Sequence, residues 1–125
     1  MKILDNLDKG KPPIVYGDGS QAYDFIYVSD AARANVCALK SGIPFGFYNV
    51  GRGVKTTIKE LTELMLNITG SDLAIEYEAA GETFVTNRVG DPVAAERDLG
   101  FTWSVDLESG LRRLIEWRKS HQKQA

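Results

Sequence analysis

Apolar and polar positions along this chain alternate between two periods, and glycine or proline marks most of the changes. Ile3, Leu4 and Leu7 make a short helical stripe that Gly10 and the Pro12-Pro13 pair bring to an end. Ile14-Val15-Tyr16 and Tyr23-Asp24-Phe25-Ile26-Tyr27-Val28 read as strands on either side of Gly17-Asp18-Gly19. A hairpin fits that arrangement, and so does a looser loop. Ser29 or Asp30 is placed to cap a helix whose Val28, Ala32, Val36 and Leu39 share one side, with Gly42 as its stop. Ala31, Ala32, Ala34 and Ala38 predict close packing of that helix on a sheet or a second helix. Phe45 to Val50 carries bulky residues at both alternations, the pattern of a strand in a covered sheet.

The best-specified element follows. Thr57-Ile58-Lys59-Glu60 has the spacing of a capping box, Ile58, Leu61, Leu64, Met65 and Ile68 recur at helical intervals, and Gly70 terminates. Leu73, Ile75 and Tyr77 alternate with Ala74, Glu76 and Glu78, which predicts a half-buried strand, and Phe84-Val85 fits a shorter one. Asp91-Pro92 supplies a cap and a first-position proline for a short helix that Gly100 closes. Asp106 caps a last helix carrying Leu107, Leu111, Leu114, Ile115 and Trp117. The sum is an α/β fold with about four to five helices, whose strands are too short for an independent doubly wound sheet.

Composition narrows the class. With 43% apolar and 26% charged residues over 125 positions, the chain has enough apolar material for one modest core and is not disordered overall. No apolar run reaches the ~20 residues of a membrane span, and no signal-peptide apolar region follows Met1. Cys37 is the only cysteine, which excludes an internal disulfide and favours a reducing, cytoplasmic setting. The formal net charge of -2 gives no long-range attraction to nucleic acid. From Gly110 onward five basic residues and the single acid Glu116 leave the last helix positive, a pattern expected for cations complementing a helix C-terminus.

Most enzyme signatures are absent. Gly51-Arg52-Gly53 lacks the third glycine of a dinucleotide loop, because Thr56 stands there, and Lys55-Thr56 follows Val54 instead of a P-loop glycine. Two readings of Gly51-Arg52-Gly53 stay open, amides presented to an anion or a tight loop needing positive φ. His121, the one histidine, lies near the end of the chain and provides neither a catalytic base nor a histidine-rich zinc site. Cys37, within the alanine-rich helix, is expected to be a small buried apolar group and not a nucleophile. Glu76, Glu78 and Glu82 are spaced like the wet face of a strand. The residues alone therefore end at an α/β domain with no complete catalytic set.

The run Pro13-Ile14-Val15-Tyr16-Gly17-Asp18-Gly19-Ser20-Gln21-Ala22-Tyr23-Asp24-Phe25-Ile26-Tyr27-Val28-Ser29-Asp30 resembles the NAD-dependent epimerase/dehydratase family, the extended short-chain dehydrogenase/reductases that act on nucleotide sugars. Tyr48-Asn49-Val50-Gly51-Arg52-Gly53, Thr57-Ile58-Lys59-Glu60-Leu61, Leu99-Gly100-Phe101 and Leu107-Glu108-Ser109-Gly110-Leu111 continue the likeness in family order, ending near Trp117. The resemblance is to the C-terminal, substrate-binding part, and it implies that the Rossmann half with the NAD loop and the Tyr-x-x-x-Lys pair lies upstream. No tyrosine here has lysine four residues later. Catalytic residues and a bound cofactor are thus expected to be absent from this chain, with NAD(P) implied for the parent enzyme.

What the resemblance implies about the site is a nucleotide-sugar contact made by Tyr16, Gln21, Tyr23, Arg52 and Arg88. Tyr23 stands where the family carries a diphosphate-binding arginine. The arginine of a later Arg-x-Gly-Asp stretch aligns without gaps to Gly81, leaving Arg88 or Arg52 as substitutes. Residues 1–125 are expected to form a single substrate-binding domain or fragment with a mobile tail over 119–125. The expected function is the substrate-binding segment of a nucleotide-sugar epimerase or dehydratase, isomerase or lyase, catalytically silent alone. The alternative is a non-catalytic nucleotide-sugar-binding or protein-interaction module derived from that family. Self-association through the face that would meet the Rossmann half is also expected, with no nucleic acid or membrane partner.

Overall fold

A computed structural model of the chain describes residues 2–80 and 86–121. Phe84-Val85 and Gly81 lie outside the described residues. The fold is α/β, with helices α1 (Lys2–Asp8), α2 (Val28–Lys40), α3 (Ile58–Thr69), α4 (Val93–Leu99) and α5 (Leu107–His121). Strands are β1 (Ile14–Tyr16), β2 (Ala22–Tyr23), β3 (Thr56–Thr57), β4 (Glu76–Glu78) and β5 (Asn87–Arg88). Two compact units share them: residues 1–23 with 55–88, and residues 24–54 with 89–125.

The first unit is organised by α3. Thr57 Oγ1 accepts a hydrogen bond from Glu60 N at 3.1 Å, while Thr57 N donates to Glu60 Oε2 at 2.7 Å. Gly70, at φ 65°, ends the helix in the left-handed region that other residues rarely adopt. Its apolar stripe is turned inward, with Leu61, Thr62 and Met65 buried. Leu4, Val15 and Ala22 are buried in the same unit.

The strands of this unit do not pair as a hairpin. β1 runs parallel to β4, with Ile14 opposite Glu76 and Tyr16 opposite Glu78. β2 lies between β3, antiparallel, and β5, parallel. The looser-loop reading of residues 17–22 is therefore the correct one. Gly17 and Gly19 both have positive φ, and a Cβ on Gly19 would come 3.0 Å from Lys59 Cβ. The chain thus turns away before β2 instead of folding straight back. β4 is shorter than the expected half-buried strand over Leu73 to Glu78, and all three of its residues are exposed.

The second unit contains α2, α4 and α5, and no strand among its described residues. Two expectations fail here. Tyr23–Val28 is not a continuous strand, since pairing stops at Tyr23 and α2 starts at Val28. Phe45–Val50 is not a strand either: a ladder needs a neighbour for its N–H and C=O groups, and among the described residues none pairs with it. Phe45 and Phe47 instead stack edge to face at 5.2 Å, 77% and 88% exposed.

Helix α2 packs through its alanine-rich side, as the small residues of that helix lead one to expect. Its small face packs inward, where Ala34 forms a cluster with Ala95 and Phe101, flanked by Ile26, Cys37, Tyr48 and Leu99. Its apolar stripe faces water, with Val28 72%, Val36 46% and Leu39 86% exposed. The alanines do allow close helix packing, and the partner is α4.

Asp30 fixes that orientation. It does not cap α2, whose N-cap Tyr27 makes no side-chain cap bond. The Asp30 side chain is buried and accepts from Ser104 Oγ at 2.6 Å, Ser104 N and Val105 N at 2.9 Å each, and Arg33 Nη2 at 2.9 Å. Burial pushes the carboxyl upward, but these donors outweigh it and hold Asp30 well below the usual carboxylate range. Arg33 also donates to Thr102 O and lies over the Phe101 ring.

The remaining helices begin near their expected signals. Asp91 Oδ1 accepts from Val93 N at 3.0 Å, so α4 starts one residue after the proline. Asp106 Oδ1 accepts from Ser109 N at 2.8 Å at the head of α5. This helix continues through His121, whose ring stacks on Trp117 at 4.4 Å.

Candidate functional site

Four of the five expected site residues belong to the first unit. Gln21, one residue ahead of β2, is 7% exposed, and its Nε2 donates to Tyr16 O at 2.9 Å. Its own carbonyl accepts from Ile58 N at 2.9 Å, so the turn between β1 and β2 is tied to the start of α3. Gln21 Oε1 is buried with no hydrogen-bond partner. A buried acceptor left without a donor is costly, on the order of 1–3 kcal/mol, and marks a position able to accept from a ligand or water.

Tyr23 and Arg88 are register partners on the parallel β2–β5 pair. Tyr23 is half-buried and Arg88 exposed. A neutral phenol and a guanidinium side by side offer one charged, fork-shaped donor set and one hydroxyl. Tyr16 ends β1, 42% exposed, with Lys2 Nζ 5.9 Å from its ring centre. The turn between them is stiffened by Asp18, whose Oδ1 accepts from Ser20 N at 2.9 Å and Ser20 Oγ at 2.6 Å.

Arg52 belongs to the second unit. Its guanidinium lies 4.9 Å from the centre of the Trp103 ring, and its Nε is buried without a partner. The two amides of this loop are not available to a phosphate. Arg52 N and Gly53 N donate, each at 2.9 Å, to the two carboxylate oxygens of Asp24. The open question about Gly51-Arg52-Gly53 is thereby answered: the loop is tight, Gly53 has φ 67°, and its anion is internal. A dinucleotide cofactor does not fit these residues, because the amides that would cradle its phosphates already hold a carboxylate.

The other candidates remain structural. Cys37 is half-buried against the Ala34 cluster as a free thiol. His121 Nδ1 lies 2.8 Å from Trp117 O within its own helix. Among the described residues no group of three or more His, Cys, Asp or Glu side chains is placed to hold a metal ion, and no helix is long and apolar enough to cross a membrane.

Two features escaped the reading of the sequence. Asp24 looked like one residue of a strand, and only the fold brings it to the loop 28 residues away. Arg88-Val89-Gly90-Asp91 itself has the order Arg-x-Gly-Asp. A gapless alignment to Gly81 passes over it by seven residues, and searching for the four-residue pattern would have found it.

The chain is similar to known proteins along most of its length. The NAD dependent epimerase/dehydratase family matches residues 1–51. A putative UDP-glucose 4-epimerase of Methanocaldococcus jannaschii is 34% identical over 123 residues, covering 97% of this chain and 39% of that protein. A dTDP-glucose 4,6-dehydratase of Neisseria gonorrhoeae is 34% identical over 130 residues, covering 94% and 37%. Among solved structures, the UDP-N-acetylglucosamine 4-epimerase of Methanobrevibacter ruminantium in complex with UDP-N-acetylmuramic acid superposes with a TM-score of 0.90 at 30% identity, covering 96% of this chain and 38% of that one. The fold is thus part of the extended short-chain dehydrogenase/reductase architecture. The chain spans little more than a third of the length of these relatives.

Proposed function

We propose that this chain is the substrate-binding segment of an NAD-dependent nucleotide-sugar epimerase or dehydratase. The observation that carries the reading is the β2–β5 register, which sets Arg88 beside Tyr23, two residues after the buried Gln21. Arg88 offers a charged fork to a phosphate, Tyr23 a hydroxyl, and Gln21 Oε1 an acceptor for a ligand N–H or O–H. Tyr16 borders the same turn. Arg52, held on Trp103 in the second unit, is the other candidate cation.

By itself the chain is proposed to be catalytically silent, because no tyrosine is followed by lysine at the spacing the chemistry needs. NAD is proposed for the parent enzyme and not for these residues, whose loop amides hold Asp24. The free thiol of Cys37 fits a reducing cytoplasm. One observation favours a second reading, a non-catalytic module that binds nucleotide sugars or another protein: the neutral Tyr23 where related enzymes are expected to carry arginine.

Titrating the labelled chain with UDP-glucose and following amide shifts tests the proposal. Shifts clustered on residues 16–24 and 86–91 are expected, with no turnover of the sugar. Shifts confined to the basic face of α5 would count against it. Tyr23→Arg, which adds a second guanidinium beside Arg88, is expected to tighten binding about tenfold.

A further inference from the structure

Only two residues of β5 pair with β2, Asn87 with Ala22 and Arg88 with Tyr23, and both β5 residues are exposed. A strand contact this short is marginal by itself in water. It is nevertheless the contact that sets Arg88 beside Tyr23. Beyond it Tyr23 is followed by Asp24, and Arg88 by Val89 and Gly90, all three in the second unit. What holds those following residues decides how firmly the pair is held.

Asp24 is held firmly. Its Oδ1 accepts from Arg52 N and its Oδ2 from Gly53 N, each at 2.9 Å. Hydrogen bonds to a carboxylate are roughly twice as strong as neutral ones. Glycines let the neighbouring segments close in. A Cβ on Gly90 would lie 3.4 Å from Asn49 Cβ and 4.0 Å from Asp24 Oδ2, and one on Gly53 would lie 3.1 Å from Pro92 Cδ. Past Pro92, α4 anchors the segment through Ala95, buried in the cluster with Ala34 and Phe101. Asp24, the loop 49–53 and residues 90–92 thus form one tied junction within the second unit.

We propose that Asp24 is a positioning residue for the nucleotide-sugar site, an inference that rests on Tyr23 and Arg88 being ligand contacts. Its carboxylate closes the junction, so Tyr23 stands one peptide link and Arg88 two links from tied backbone. Asp24 acts through these two residues and not by contact with the ligand: it keeps the phenol and the guanidinium from parting. The same carboxylate fixes the backbone of Arg52, the other candidate cation. Asp30, whose carboxylate is bonded to Ser104, Val105 and Arg33, stabilises the same unit without touching this junction.

Titration of the full chain with UDP-glucose, followed by amide shifts at a temperature where each variant is folded by circular dichroism, tests this. Asp24→Asn keeps one acceptor but turns an NH₂ group toward the second amide, and is expected to raise the dissociation constant about tenfold. Gly53→Ala, strained at φ 67° and crowded by Pro92, is expected to raise it about threefold. Two controls make the same changes elsewhere in the second unit. Asp30→Asn alters a buried carboxylate, and Gly100→Ala strains a left-handed glycine with open space around it. Both are expected to leave the dissociation constant within about twofold. Should either aspartate variant fail to fold, Gly53→Ala against Gly100→Ala makes the comparison. Unchanged affinity in Asp24→Asn and Gly53→Ala, or an equal loss in the controls, overturns the proposal. An unsubstituted chain without UDP-glucose shifts refutes the reading of the site instead, and the ligand-free Nε–H signal of Arg88 then decides about Asp24. That signal is expected to move in Asp24→Asn and Gly53→Ala and not in the controls; an unmoved signal overturns the proposal as well.

Discussion

Helices α2 and α3 are nearly the same length, 13 and 12 residues, and both carry apolar residues at helical spacing, yet they face opposite ways. α3 buries its stripe through Leu61 and Met65. α2 buries Ala34 and a carboxylate, and leaves Val36 and Leu39 in water. The difference lies in what each unit has to offer. The first unit supplies apolar residues such as Leu4 and Val15 for a core. The second offers a close-packed α4 and the donors of Ser104 and Val105, which a small face with one acid satisfies better than a bulky one. A helix therefore turns toward the partner it can satisfy, and amphipathicity alone does not decide which side that is.

Substitutions on the two helices sharpen that contrast. A large loss is expected from Asp30→Ala, which strands Ser104 N and the buried Val105 N. Urea unfolding of the second unit should show about 3 kcal/mol of destabilisation. Leu61→Ala in α3 is expected to cost the first unit about 2–4 kcal/mol through lost transfer and cavity terms. Thr57→Ala removes half of the capping box and should cost about 1 kcal/mol, again in the first unit. Leu39→Ala should change stability by no more than about 0.5 kcal/mol. If Leu39→Ala cost as much as Leu61→Ala, the two helices would not differ in the way described.

Acid separates the helices as well. The Asp30 carboxyl is held below its unfolded value, so its contribution is fully present above about pH 4 and is lost as pH falls toward the folded value. Between pH 5 and pH 2 the second unit should lose stability that Asp30→Asn no longer loses. Denaturation followed at several pH values checks this, and an unchanged acid response in Asp30→Asn would count against it.

Local signals were legible in the sequence, and long-range partners were not. The capping box at Thr57, the terminators Gly70 and Gly100 and the cap Asp106 all report on neighbours within four residues, and each stands where its spacing places it, while Asp91 sits one position ahead of the N-cap Pro92. Phe45–Val50 has the composition of a strand, but a strand exists only where another backbone pairs with it. The stripe Val28-Ala32-Val36-Leu39 is real, yet its periodicity says only which residues share a face. For the site, Tyr16, Gln21, Tyr23 and Arg88 are named only through the family resemblance, while the pairing of Tyr23 with Arg88 joins residues 65 positions apart. Nothing about Asp24 itself announces that its carboxylate closes a distant loop.

That carboxylate restricts how the sequence can drift. A Cβ at Gly51 would fall 2.2 Å from Asp24 Oδ2, so a side chain there is excluded while Asp24 stays in place. Asp24 can be exchanged first, giving up two hydrogen bonds but leaving Gly51 harmless. Gly51 exchanged first meets a collision as well as losing those bonds. The order of substitution matters, and a lineage that leaves this pair can do so easily through one door only.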